Sequence, residues 1–220
     1  MRRILVAMLL LGTWAAAADE AQLALPKSRP VRVAFVVSDM ATLIDIAGPM
    51  QVFDQVVSPG NKTEFQTFTV SETRKPIKAG TMTIVPDYIF TDVPEADIVV
   101  VGAQMGDSPP YLNYLRSLNT RGRLMLSVCT GVSIFAKAGI LDGLQATSHH
   151  DYIGTLQDRY PKVHFLRDKA WVHSAPTIYT AGGETSGIEL ALHIVELYFD
   201  HDVAVKTARY MEYRGPDWQR

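Results

Sequence analysis

A chain of 220 residues with 47% hydrophobic side chains holds enough apolar material for one domain with a substantial core. Its formal charge of −2, with no long Lys/Arg cluster, lacks the electrostatic footprint of a nucleic-acid binder, so no nucleic-acid partner is expected. The single cysteine, Cys129, cannot form an internal disulfide; it is a free thiol, an intermolecular partner or a small buried hydrophobe.

Arg2 and Arg3 precede an apolar run from Ile4 to Trp14 and a string of alanines, the layout of a secretory signal peptide. The run is short for a membrane span, and Ala16 and Ala18 satisfy the small-residue rule for cleavage before Asp19. Residues 1–18 are therefore expected to be an export signal that sends the mature protein to the periplasm or outside the cell, with no stable membrane association. Residues 19–30, ending in "PKSRP", read as a linker because each proline biases its predecessor toward extended backbone. One domain is expected over residues 31–220.

"VRVAFVV" opens that domain as a Val-rich strand buried on both faces. "DIAGPMQVFDQVV" follows as a helix, with Pro49 suited to its first turn and Val52, Phe53, Val56 and Val57 on one stripe. "TEFQTFTVS" alternates as a second strand, and "PIKAGTMTIVPDYIF" breaks into short β pieces around a turn at Ala79 and Gly80. "ADIVVVGA" is a third buried strand, and a helix follows from about Tyr111 to Leu118. "RLMLSV" is a fourth buried strand, leading directly into Cys129 and a helix that stops at Gly139. After a helix-like "DYIGTLQDRY" come two β candidates, "KVHF" and "WVHSAPTIYTA". One or two final helices follow, with Ile188, Leu190, Leu192, Val195 and Leu197 on apolar faces. Strands alternating with helices predict an α/β fold whose mostly parallel sheet is covered on both faces.

In such a sheet ligands collect where strands end and helices begin, and Cys129 lies at one of these turns. Ser127, Val128, Cys129, Thr130 and Gly131 have the small-x-nucleophile-x-Gly form of a nucleophile elbow, with Cys in place of Ser. The helix start is expected to favour the thiolate and lower its pKa.

The segment "SVCTGVSIFAKAGILDGLQATSHH" resembles the nucleophile elbow of the ThiJ/PfpI superfamily, a flavodoxin-like sandwich of the class I glutamine amidotransferase type. "LIDIAGPMQVFD" resembles that superfamily's first helix, "ADIVVVGAQMGD" its oxyanion strand and turn, and "TAGGETSGIELALHIVE" its last strand, glycine turn and helix. The resemblance spans essentially the whole mature chain. Its nearest pattern is that of isonitrile hydratase and the amino-terminal domains of certain AraC-type regulators, which share the acidic-x-x-Gly-Pro and Cys-Thr-Gly forms.

The resemblance implies that Asp45, Cys129 and Thr130 are catalytic. In this reading Cys129 attacks an electrophilic carbon, Asp45 relays a proton and Thr130 orients substrate or water. It further implies that Gly102 and Ala103 form an oxyanion turn, with the N–H groups of Ala103 and Thr130 as donors. His149, 20 residues after the cysteine, is an auxiliary base or a helix cap, and Glu184 faces the pocket or caps the last helix.

Relatives tend to carry a bulky group at His150 and Glu at Gln51, so the pocket differs in polarity. A homodimer and a small-molecule substrate are implied, with hydration of an isonitrile to a formamide the nearest reaction. The competing reading is a ligand-binding or redox-sensing module with an oxidisable cysteine. No predicted helix-turn-helix lies between the last helix and Arg220. "GAQMG" is not a dinucleotide fingerprint, so no cofactor is expected. No metal is expected either: His149, His150 and Asp151, and the set His193, His201 and Asp202, read as solvated helix ends.

Overall fold

The computed structural model describes residues 22–56 and 64–215. The expected export signal, and Val57 of the first helical stripe, lie outside them.

The elements are β1 (Val31–Val36), α1 (Leu43–Asp54), β2 (Phe65–Ser71), β3 (Ile77–Ala79), β4 (Met82–Ile84), β5 (Tyr88–Ile89) and β6 (Ile98–Val101). They continue with α2 (Pro109–Thr120), β7 (Leu124–Ser127), α3 (Val132–Lys137), β8 (Gln145–Ala146), α4 (Ile153–Arg159), β9 (His164–Phe165), β10 (Trp171–Ala175), β11 (Ile178–Ala181), α5 (Ser186–Tyr198) and α6 (His201–Tyr210). Seven strands form one sheet in the order β10-β11-β7-β6-β1-β2-β5, parallel throughout except for the antiparallel β10 at one edge.

Strand alternation explains why the central runs are apolar at every position. Val31, Val33 and Phe35 of β1 enter one core with α1, α5 and α6, whereas Ala34 and Val36 enter a second with α2, α3 and α4. β6 divides likewise, Ile98 and Val100 facing the first core and Val99 and Val101 the second. The result is the flavodoxin-like sandwich expected from the sequence.

The first helix starts earlier than Pro49 suggested. It runs from Leu43, so Pro49 sits inside it rather than in its first turn. Ile46 adds a buried apolar residue to the amino-terminal half of the helix, and the missing Pro49 N–H leaves the Asp45 carbonyl without its helical donor. The final strand candidate is a hairpin of two strands, β10 and β11, and β8 is a two-residue strand without a sequence signal. Residues 22–30 lie against the domain: the Leu23 N–H donates to the Leu197 carbonyl (2.7 Å), and the Arg29 guanidinium forks onto Asp97 (2.5 and 2.9 Å).

Candidate active site

The chain leaves β1 for β2 on one side and later returns to place β6 on the other, so the sheet has a switch point at the carboxyl ends of β1 and β6. The turns after β1, β6, β7 and β11 meet at this edge. They bring Asp45, Gly102–Ala103, Cys129–Thr130 and Gly182–Glu184 together.

Cys129 follows the extended Val128 and adopts a left-handed backbone, φ +59°, before the chain closes into a 3-10 turn over Cys129–Gly131. A side chain other than glycine in this region is uncommon and costs energy, so its neighbours must hold it. The Cys129 N–H donates to the Gly182 carbonyl (2.8 Å), and the Ser148 hydroxyl donates to the Cys129 carbonyl (2.9 Å). Gly131 is required by crowding: a Cβ there would stand 2.3 Å from the Val101 carbonyl oxygen.

Asp45 lies in the first turn of α1 and is fully buried. Its Oδ2 accepts the Ala103 N–H (2.9 Å), while Oδ1 has no hydrogen-bond partner among the described residues. The approach of α1 to the β6 turn is close enough that a Cβ on Gly102 would stand 2.6 Å from the Asp45 Cβ. Burial pushes the carboxyl up to about 6 against the opposing Ala103 hydrogen bond, and the nearby charge of Glu184 adds to the rise.

The thiol departs from the expectation of a lowered pKa. Burial, together with the charges of Asp45 and Glu184, pushes Cys129 up to about 11. A three-residue 3-10 turn and the six-residue α3 supply too weak a dipole to reverse this. The backbone N–H groups of Thr130 and Glu184 donate toward the sulfur and oppose the rise. Ala103, expected as an oxyanion donor, instead spends its N–H on Asp45, and the partner of Thr130 is Glu184. Glu184 holds a left-handed backbone, φ +48°, immediately after the two glycines.

His149 is half-buried, and its ring packs against Gly183. Its Nδ1 accepts the Asp151 N–H (3.3 Å), so it caps the turn His150–Tyr152. Glu184 does not cap α5, whose N-cap position is Thr185. It lines a cavity of about 690 Å³ with Ser148, His149, Asp168, Lys169 and Glu189. Candidate ligand atoms of His149, His150 and Asp151 lie within 4.8 Å of one another, although the two imidazoles are stacked face to face, centroids 4.5 Å apart. The second histidine set does not assemble: His193 stacks on Trp171 (4.1 Å), and His201 faces Glu196 (3.3 Å).

Fold and site together define a parallel α/β domain with a buried cysteine at a left-handed strand-to-helix elbow and a buried carboxyl group near it. The chain belongs to the DJ-1/PfpI family, whose sequence pattern matches residues 31–197. It is 27% identical over 192 residues to isonitrile hydratase of Pseudomonas putida, covering 83% of this chain and 78% of that protein. It is 24% identical over 176 residues to the HTH-type transcriptional regulator GbdR of Pseudomonas aeruginosa, covering 77% of this chain but only 47% of the regulator. A crystal structure of a ThiJ/PfpI family protein from Pseudomonas syringae superposes with a TM-score of 0.73 at 20% identity, covering 96% of this chain and 83% of that one.

Proposed function

We propose that this protein is an exported, cysteine-dependent enzyme that hydrates a small electrophile of the isonitrile class, working as a homodimer without nucleic acid. The observation that carries this reading is the buried Asp45 carboxyl, with one oxygen held by Ala103 and the other unpartnered, in electrostatic contact with the Cys129 thiol. The alignment with isonitrile hydratase of Pseudomonas putida supports the choice of substrate class.

A thiol held at about 11 is neutral at physiological pH and needs a base, whereas a carboxyl at about 6 is mostly ionised there. Asp45 takes the thiol proton as the sulfur attacks the isonitrile carbon, then delivers it to that same carbon, giving a thioimidate, R–N=CH–S. Water adds to this carbon, oriented by Thr130. The water oxygen bonds to the carbon and one of its protons goes to the nitrogen; the C–S bond then breaks as the carbonyl forms, and the remaining hydroxyl proton passes to the sulfur as the formamide R–NH–CHO leaves. The Thr130 and Glu184 N–H groups stabilise charge on the sulfur during attack and departure.

The test is a panel of isonitriles, dicarbonyls and amides offered to the mature protein and to Cys129→Ala. Formamide production that the Ala variant abolishes is expected. Selective oxidation of Cys129 by peroxide with no turnover of any panel member would replace this reading by a redox sensor.

A further inference from the structure

Ser148 is one of the few buried polar side chains among the described residues, 4% exposed. Its hydroxyl donates to the Cys129 carbonyl (2.9 Å), a contact 19 residues away along the chain. The Cys129 peptide is thus gripped at both ends, its N–H by the Gly182 carbonyl and its carbonyl by Ser148, around a residue whose φ is +59°. A left-handed cysteine persists only where its surroundings over-determine it, and these two bonds anchor it to the segments after β8 and β11.

We infer that Ser148 is the positioning residue of the nucleophile: its hydrogen bond to the Cys129 carbonyl locks the elbow in the left-handed conformation that keeps the thiol in its buried seat. The inference rests on the reading of Cys129 as the nucleophile, but its test does not depend on the substrate. Without the Ser148 hydroxyl, the elbow relaxes toward ordinary backbone and the sulfur leaves its buried seat. Its titration then moves down toward the ordinary thiol range, because burial is the main cause of its present value.

The experiment measures the rate of Cys129 alkylation by iodoacetamide between pH 7 and 9 in the unaltered protein, Ser148→Ala, Ser148→Thr and Thr147→Val. Thr147 is the control, since its hydroxyl donates to the Leu166 carbonyl (3.0 Å) and not to Cys129. Ser148→Ala is expected to alkylate at least tenfold faster at pH 8, while Ser148→Thr, which keeps the hydroxyl, returns to the unaltered rate. Thr147→Val is expected to lose thermal stability with no change in alkylation. In isonitrile hydration, Ser148→Ala is expected to lower kcat at least tenfold and leave KM within about twofold. A Ser148→Ala alkylation rate within twofold of the unaltered protein, or an equal rise in Thr147→Val, overturns the inference. If the unaltered protein hydrates no isonitrile and Ser148→Ala still alkylates faster, the proposed substrate fails and the role of Ser148 stands.

Discussion

Asp45 is expected to couple stability and activity in opposite senses. Its carboxyl titrates at about 6 in the folded protein, above the value of an unfolded carboxylate, so the folded state binds the proton more tightly. That stabilisation is complete below the unfolded value and is lost as pH rises through about 6. Holding the ionised group at neutral pH costs about 3 kcal/mol. Asp45→Asn keeps an oxygen for the Ala103 N–H, but it adds a buried NH2 that offsets part of the gain. The variant is expected to be more stable than the unaltered protein by about 1–2 kcal/mol at pH 7 and to lose this advantage near pH 4, as read by urea unfolding. The same variant is expected to lose isonitrile hydration by at least a hundredfold, because no base remains for the thiol proton. In the unaltered protein kcat/KM is expected to fall on the acid side with a midpoint near 6, following protonation of that base. An acid limb retained in Asp45→Asn assigns it to another group.

The elbow is an element whose shape depends on close backbone approach. Gly131 sits beneath the β6 carbonyl of Val101, so Gly131→Ala forces its methyl against backbone atoms, which no side-chain rotation can relieve. It is expected to destabilise the protein by about 3 kcal/mol in urea unfolding and to displace Cys129 from its donors. A helix cap offers a milder comparison. The Ser108 hydroxyl accepts the Tyr111 N–H (3.2 Å) at the start of α2, and makes no hydrogen bond to the elbow among the described residues. Ser108→Ala is expected to cost about 1 kcal/mol in the same measurement and to leave alkylation of Cys129 unchanged.

For the whole molecule, export and dimerisation are the open predictions. Full-length protein made in a Gram-negative host is expected in the periplasmic fraction with Asp19 as its first residue by mass spectrometry, and removal of residues 2–18 is expected to retain it in the cytoplasm. Light scattering of the mature form is expected to give twice the chain mass.

Much of this architecture was written in the residues. Val-rich runs such as "VRVAFVV" and "ADIVVVGA" announce strands buried on both faces, and their alternation with amphipathic segments leaves few alternatives to a covered parallel sheet. Cys129, Thr130 and Gly131 are neighbours along the chain, so the elbow was legible as a motif. Its surroundings were not, because they come from segments 19 to 84 residues away: Ser148 onto the Cys129 carbonyl, and the charge of Asp45 beside the thiol. Hence the lowered thiol pKa suggested by a helix start gave way to a raised one, since burial and neighbouring carboxylates depend on the segments packed around the sulfur rather than on the helix next to it in the chain. The identity of the second donor, Glu184 in place of Ala103, depends likewise on packing that no side-chain pattern encodes. Local sequence specifies the strands, the turn and the place of the cysteine; packing at the carboxyl ends of the strands sets the burial of the thiol and the charges around it.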